Sequence, residues 1–411
     1  MTGATPQAYR SLWQEQTGVG RDQRRGGYSR HGFDGHDLTM REWFTEQASR
    51  RGMTVEPDRN GNLWAWLGRP GPDAVVTGSH LDSVPGGGAF DGPLGVVSAL
   101  LAIDAMRARG FQPRRPLAVV VFAEEEGGRF GIPCLGSRLL TGAIAPEAAR
   151  RLTDRDGVGL DAALHGAGVD PRGIGADPQA LGRIGVFVEL HVEQGRALAD
   201  LDAPVALAST ILAHGRWRLS FHGEGNHAGS TALDDRRDPM LPAAHTIAAA
   251  RRVAGKVTGA RATVGRVEAT PGGTNVIAST VDLWLDARAP STSDTRAVVD
   301  ELVGHAEHVA QAEGCRLTVR EESFGDRVVF DQALRSRLAA LLGGVPVLPT
   351  GAGHDAGVLA GAGIPTAMLF VRNPTGVSHS PAEHAERDDC LAGVDALTTV
   401  LAELTGDGSA G

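Results

Sequence analysis

Short apolar runs alternate along this chain with longer segments whose apolar positions recur every three or four residues. The runs are DAVVTGS (73–79), LAVVVFA (117–123), GVFVEL (185–190) and PTAMLFV (365–371). They are brief, rich in β-branched side chains and not alternating, so they predict strands buried on both faces. GVVSALLAIDAMRARG (95–110) has apolar residues at helical spacing and stops on Gly110. Further helices are expected over 37–51 and near 331–343. Buried strands alternating with helices predict a mostly parallel α/β sheet. Residues 1–26 are polar and are expected to be helical and then poorly ordered.

Between about 210 and 324 the pattern changes. RWRLSFH (216–222) alternates as a half-buried strand does, and DPMLPAAHTIAAARRVAG (238–255) reads as a helix. ATVGRVEA (262–269) and NVIASTVDLWLDAR (275–288) read as strands, TSDTRAVVDELVGHAEHVAQAEG (292–314) as a helix and CRLTVREE (315–322) as a strand. The order β-α-β-β-α-β is the ferredoxin-like arrangement. The expected organisation is one α/β domain, residues 1–209 and 325–404, interrupted by a smaller domain at 210–324, with a disordered tail at 405–411. Residues 157–180 read as a connection rich in glycine and aspartate.

Composition narrows the function classes. The 411 residues are 42% hydrophobic and 22% charged, which excludes wholesale disorder and collagen-like repeats. No apolar run reaches the ~18 residues that span a bilayer. The N-terminus lacks a basic stretch followed by an apolar one, so no secretory leader is expected. Cys134, Cys315 and Cys390 are far apart and read as reduced thiols in a cytoplasmic protein. A net charge of −9 argues against nucleic acid as a partner. The single lysine, Lys256, precedes Val257, which leaves no P-loop, and its polar surroundings do not suit a Schiff base. The nucleophile elbow of a serine hydrolase is also missing.

Polar residues gather just past each apolar run. His80 and Asp82 follow the first, Glu124, Glu125 and Glu126 the second, His191 and Glu193 the third, and His379 comes after the fourth. Asp91 lies at the start of the helix that follows the first run. Ligands of open α/β sheets bind beyond the carboxyl ends of the strands, so these groups are expected on one edge. Histidines and carboxylates without a thiolate cluster suit zinc, manganese or a similar divalent ion. There are enough of them for two ions, with a carboxylate such as Asp91 between, and two close ions activate a water and polarise the bond under attack. Asp82 can turn back to the imidazole of His80 and fix its tautomer. His305 and His308 on a charged helix, and His31 and His36 in a loop, read as solvated.

Six motifs occur in order: GSHLDSVPGGGAFDGPLGV (78–96), EEEGGRF (124–130), ELHVEQG (189–195), GNHAGS (225–230), GAGHDAG (351–357) and GVSHSPAEH (376–384). Together they resemble the hydantoinase/carbamoylase family of di-metal amidohydrolases, which includes N-carbamoyl-L-amino acid hydrolases, β-ureidopropionases and allantoate amidohydrolases. The resemblance runs from about residue 15 to 400. It implies a di-metal peptidase-like catalytic domain with a ferredoxin-like lid that also forms a homodimer interface. It implies that His80 and His191 each ligate one metal, that Asp91 bridges both, and that Glu126 and His379 complete the set. The cofactor would be two divalent ions per subunit, Zn2+ or Mn2+. Glu125 would be the general base, Asp82 would orient His80, and His227 would stabilise the oxyanion. Gln194, Asn275, Arg288 and His354 would contact substrate, and the planar fork of Arg288 suits a carboxylate. The chain departs from the family pattern at Gly86, at Thr231-Ala232-Leu233 and at Leu212-Ala213-His214-Gly215. These departures bear on substrate choice and touch no implied ligand.

The expected reaction is hydrolysis of the ureido C–N bond of a small carboxylate, allantoate or an N-carbamoyl-L-amino acid, with release of ammonia and carbon dioxide. The alternatives are hydrolysis of an N-acyl amino acid or dipeptide, and a metal-binding sensor without catalysis. Glu125, His227 and Arg288 are all in place, which argues against the sensor.

Overall fold

Each apolar run becomes a strand because it supplies side chains to both faces of a covered sheet. The computed structural model of the chain describes residues 5–406. Its strands, in chain order, are β1 (Thr54–Pro57), β2 (Leu63–Leu67), β3 (Ala74–His80), β4 (Leu117–Phe122), β5 (Ile184–Val192), β6 (Val205–Ile211), β7 (Ala213–His222), β8 (Asn226–His227), β9 (Arg261–Thr270), β10 (Val276–Ile277), β11 (Thr280–Ala289), β12 (Arg316–Gly325), β13 (Val328–Val329), β14 (Val347–Thr350) and β15 (Thr366–Val371). The chain folds as two units, Met1–Thr210 with Val329–Gly411, and Ile211–Val328.

The first unit carries a nine-stranded sheet in the order β1-β2-β4-β3-β5-β15-β6-β13, with β14 paired to β6. Its centre is parallel: β3 pairs with β4 and β5, and β5 with β15. Every residue of β3, β4 and β15 is buried. Leu94, Leu100 and Ile103 of helix Pro93–Ala108 pack with Val75, Val119, Val188 and Leu369 of the sheet, and Val394, Leu397 and Leu401 of helix Arg387–Thr405 join the same cluster. At roughly 1.5–3 kcal/mol for each large apolar side chain removed from water, this cluster dominates the stability of the unit. The sequence pattern announces neither the β1–β2 hairpin nor β6, which extend the parallel centre by antiparallel pairing. β1 and β2 are short, and β1 is not buried at any residue, so hydrophobic pattern has little to act on there; β6 is seven residues long and buried, and its pattern VALASTI mixes in small and polar residues.

Two local expectations change. The stretch after helix Pro6–Gln16 is held by its own polar groups rather than poorly ordered: Asp22 accepts the amides of Arg24 and Arg25 and the hydroxyl of Ser29. The connection at 157–180 contains helices Leu160–Gly166 and Pro178–Leu181. Of the tail expected at 405–411, Thr405 closes the last helix and the carbonyl of Gly406 accepts the amide of Arg114, while 407–411 lie outside the described residues.

Asp37, in the first turn of helix Gly35–Arg50, tests how burial costs this fold. Its carboxylate accepts the amide of Phe33 at 2.8 Å. Burial pushes its pKa up to about 6, only partly offset by the Arg41 cation. The folded chain therefore keeps a proton that the unfolded chain has released. The contribution of Asp37 is fully present below about pH 4 and is lost as pH rises through about 6. An Asp37→Asn variant is expected to gain roughly 1–3 kcal/mol over the parent chain at pH 7 and nothing at pH 4, read by urea unfolding at both pH values.

The second unit has the order β-α-β-β-α-β, counting the long strands. Its antiparallel sheet runs β12-β7-β11-β9, with helices Met240–Ala254 and Thr292–Ala312 on one face. Trp217, Leu219, Phe221, Val281, Leu283 and Leu285 form the core with Val253, Val298 and Leu302 of the helices. Arg216, Arg218, Ser220 and Asp282 lie between them in sequence, as period-two alternation requires. The segment expected as one strand over 275–288 is two. The Ser279 amide bonds back to the Thr270 carbonyl at 2.8 Å, and β10 leaves the sheet to pair with β8, setting Val276 opposite His227. Among the described residues no helix is long and apolar enough to cross a membrane, and the three cysteines are free.

Candidate active site

Parallel pairing sets the carboxyl ends of the central strands side by side. His80 is the last residue of β3, opposite Phe122 at the end of β4, and His191 stands near the end of β5, opposite Phe370 of β15. Asp91 sits on the loop that leads through Gly92 into helix Pro93–Ala108. Gly92 has φ of +84°, and a Cβ there would fall 2.5 Å from the His80 ring, so only glycine lets this loop approach the imidazole.

Both buried imidazoles have their Nδ1 committed. His80 Nδ1 donates to the carbonyl of Asp82 at 3.0 Å, and His191 Nδ1 donates to the carbonyl of Val192 at 2.9 Å. A carbonyl only accepts, so each Nδ1 carries the proton and each Nε2 is left as a ligand atom. Neither Nε2 has a hydrogen-bond partner. Both face Asp91 Oδ1, at 3.5 Å from His80 and 3.1 Å from His191. The other oxygen of Asp91 lies 3.4 Å from His379 Nε2, which is itself 3.3 Å from Glu126 Oε2. Ligand atoms of His80, Asp91 and His191 thus lie within 4.8 Å of one another, and so do those of Asp91, Glu126 and His379. Two unpartnered imidazole nitrogens and two sets of hard oxygen and borderline nitrogen donors, shared through one carboxylate, fit a pair of divalent cations.

The electrostatics are those of a site built to hold positive charge. Burial alone would depress both imidazoles, but the carboxylates overcome it: Glu125, Asp82 and Asp91 hold His80 well above its ordinary value, and Asp91 lifts His191 to about 9. Burial would raise Asp91, yet His191 and His80 hold it well below the usual carboxylate range. Burial, joined by Asp91 and Glu125, pushes Glu126 well up. Burial raises Glu125 to about 7 against the pull of His80. Glu125 Oε2 lies 3.7 Å from His80 Nε2, and its Oε1 accepts from the Cys134 thiol at 3.5 Å.

Asp82 meets His80 and the glutamates through different atoms. It is the Asp82 carbonyl that receives the His80 Nδ1 proton, while the carboxylate, 3.6 Å from that nitrogen, accepts the amides of Glu125 at 3.2 Å and Glu126 at 3.0 Å. One residue therefore orients His80 through its backbone and pins both glutamates through its side chain. Gln194 donates from Nε2 to Asp91 Oδ2 at 2.8 Å. His354 is buried with both ring nitrogens unpartnered, and its ring packs edge-on against His191 at 4.5 Å. Burial and the neighbouring His191 hold it well below its ordinary pKa, so it is neutral.

Three implied residues belong to the second unit. His227 lies on β8, its Nδ1 accepting the amides of Gly229 at 3.0 Å and Ser230 at 3.1 Å, which leaves the proton on Nε2. Asn275 is adjacent, its carbonyl accepting the amide of Ala228 at 3.0 Å. Arg288, on β11, is gripped by both oxygens of Asp286 at 2.7 and 2.9 Å.

A profile of the peptidase family M20/M25/M40 matches residues 76–403. The chain belongs to this family. It is 35% identical over 401 residues to the N-carbamoyl-L-amino acid amidohydrolase of Geobacillus stearothermophilus, a match that covers 96% of this chain and 98% of that one. It is 32% identical to the allantoate amidohydrolase of Bacillus subtilis, over 89% of this chain and 92% of that one. The crystal structure of a hydantoinase/carbamoylase family amidase from Burkholderia vietnamiensis superposes with a TM-score of 0.88 at 28% identity, covering 98% of both chains. The fold is the mixed α/β fold of the M20 peptidases, and the family together with the His/Asp/Glu groups points to a divalent-metal protein.

In this M20 chain several working residues escape the sequence reading. Glu124, expected at the site edge but given no role, accepts the amides of Gly32, Arg129 and Phe130 at 2.8–3.0 Å and braces the loop that carries Glu125 and Glu126. Glu189 lies near His191 and His354, but its oxygens take the Ser79 hydroxyl at 2.8 Å and the Ala356 amide at 3.1 Å, so it fixes the backbone around the site. Glu193 accepts the amides of Ala197 and Leu198. The lone signal that could have found these roles is their position inside the motifs EEEGGRF and ELHVEQG. Lys256 is surface-exposed and paired with Glu301.

Proposed function

We propose that this chain hydrolyses the ureido C–N bond of a small carboxylate, allantoate or an N-carbamoyl-L-amino acid. The products are the freed amine of the substrate, ammonia and carbon dioxide. The observation that carries the reading is the pair of His/Asp/Glu groups that share Asp91, set beside the buried carboxyl of Glu125. His80, Asp91 and His191 would hold one divalent ion and Asp91, Glu126 and His379 a second, with zinc and manganese as the candidate metals. When bound, such a pair supplies Lewis acidity to the ureido carbonyl and lowers the pKa of water.

The chain's own groups do the rest. Glu125 takes a proton from the attacking water and returns it to the leaving nitrogen. The bond from that nitrogen to the ureido carbon breaks, and the carbamate formed decomposes to ammonia and carbon dioxide. His227 offers its Nε2 proton to the developing oxyanion, a role supported by the two amides already donated to Nδ1. Arg288 and Asn275 hold the substrate carboxylate, with Gln194 and His354 as further substrate contacts. We place the protein in the cytoplasm as a homodimer. Met240, Leu241 and Ile247 of one helix and Val267 of the edge strand β9 are exposed, which supports pairing of two copies through the second unit.

The test is product release by enzyme reloaded with Mn2+ or Zn2+, on allantoate, several N-carbamoyl-L-amino acids, N-carbamoyl-β-alanine and an N-acetyl amino acid. Ammonia from allantoate or from carbamoyl amino acids is the expected result and chooses between the two substrates. Acetate from the N-acetyl substrate, with no ammonia from the others, would replace this reading with an acyl-amino-acid hydrolase. Silence on the whole panel with two ions bound would leave a metal-binding protein without this catalysis.

A further inference from the structure

Three of the cluster residues lie on loops, and two of these, Asp91 and His379, come from distant parts of the chain. His80 and His191 stand on strands of the parallel centre, but Asp91 lies on the loop before helix Pro93–Ala108 and His379 on the loop after β15. His379 adopts the left-handed region, with φ of +54°, where a residue with a side chain persists only if its surroundings hold it. The residue that ties the two loops together is Glu383. Its Oε1 accepts two successive amides, Phe90 at 2.9 Å and Asp91 at 3.0 Å. Its own amide bonds to the Ser380 carbonyl at 3.0 Å. The Ser378 hydroxyl lies within hydrogen-bond distance of both Asp91 Oδ2, at 3.3 Å, and Glu383 Oε2, at 3.2 Å. Glu383 is buried, and a Cβ on Gly88 would fall 2.2 Å from its Oε1, so the Asp91 loop is moulded around this side chain.

We propose that Glu383 is a positioning residue that clamps the Asp91 loop to the His379 loop. It thereby sets the affinity of the half-site formed by Asp91 Oδ2, Glu126 and His379, and not that of the half-site formed by His80 and His191. The inference rests on the two-ion reading above. Glu383 is not itself grouped with either set of ligand atoms, so it acts by holding the Asp91 loop against the His379 loop, a spacing that only the half-site containing both residues spans. The acceptor geometry matters more than the charge, because one oxygen taking the N–H groups of Phe90 and Asp91 fixes two successive peptide planes, Ala89–Phe90 and Phe90–Asp91.

The experiment is a titration of the metal-free chain with Co2+ alone, followed by visible absorption, on the parent, Glu383→Ala and Glu383→Gln. The parent takes up two ions. Glu383→Ala is expected to keep one uptake step within about threefold and to weaken the other at least about tenfold, a split that general loss of stability would not produce. Glu383→Gln, whose amide oxygen can still accept both N–H groups, is expected to restore the weakened step to within about threefold of the parent. Parent-like affinity for both ions in Glu383→Ala, equal loss of both, or a Gln variant as impaired as the Ala variant would overturn the proposal. A parent chain that binds fewer than two ions would overturn the two-ion reading and the proposal with it. If Glu383→Ala does not fold by circular dichroism, Glu383→Asp replaces it. One methylene shorter, it is expected to weaken the same single step, and parent-like affinity there would overturn the clamp.

Discussion

Replacing Glu125 by Gln is expected to cut turnover by about three orders of magnitude or more, while the metal content of the purified chain stays close to that of the parent. General acid–base groups typically contribute 10²–10⁴-fold, and in the proposed reaction one group serves both the attack and the departure of the leaving nitrogen. The substitution keeps shape and volume and removes only the ability to take and return a proton. It also leaves the local scaffold intact, because the backbone at 125 is held by the Asp82 carboxylate through the amide, not through the side chain. Glu125 is not grouped with the two sets of ligand atoms that share Asp91. Initial rates of ammonia release together with elemental analysis of the same preparation decide the matter. Turnover within tenfold of the parent would move the base elsewhere, and loss of both ions would make Glu125 a ligand instead.

Asp91→Ala is expected to do something different: both ions should be lost and turnover should fall by roughly 10⁴-fold or more. Asp91 is common to the two sets of ligand atoms, with one oxygen toward His80 and His191 and the other toward His379. Its charge is also what lifts His191 despite burial. Without it, two cations would have to sit in a buried site short of one negative charge, which is costly. The same variant should lose the rise in melting temperature that added Zn2+ or Mn2+ gives the parent, since that rise comes from ions that bind the folded chain alone. A variant that still binds two ions would show that Asp91 is not shared. The contrast between the two variants, catalysis lost with metal kept and catalysis lost with metal gone, separates the proton-transfer role from the scaffold role.

Much of this site could be read from spacing because its residues follow strands. A run such as LAVVVFA can only be satisfied by burial on both faces, and a parallel strand buried in this way ends where the sheet meets solvent. That places Glu124–Glu126, His80 and His191 at one edge without further information. The reading stops at atoms. It expected Asp82 to orient His80 but could not say through which atoms; the carbonyl takes Nδ1, and the carboxylate takes the amides of Glu125 and Glu126. It put Glu124 at this edge with its neighbours but gave it no role, because nothing in EEE distinguishes a glutamate aimed at an ion from one at φ of +51° folded in to accept three amides. It saw no partner for Glu383, since the bonds to Phe90 and Asp91 cross about 290 residues of chain.

By itself the sequence determined the alternation of buried strands and helices and the interruption by a β-α-β-β-α-β segment. It also determined the residue types at the sheet edge, and hence a hard, nitrogen- and oxygen-rich site suited to divalent cations. These follow from local rules: side-chain periodicity, strand length and the chemistry of each ligand atom. Only the tertiary structure decided the order β4-β3-β5-β15 at the centre of the sheet and the register that sets β3 against β5. It alone decided the turn of Asp91 that gives one oxygen to each group, and the loop bonds through Glu383. Those depend on which distant segments pack together, and that choice is made by the whole buried core at once, because no single stretch of the chain carries enough energy to make it alone.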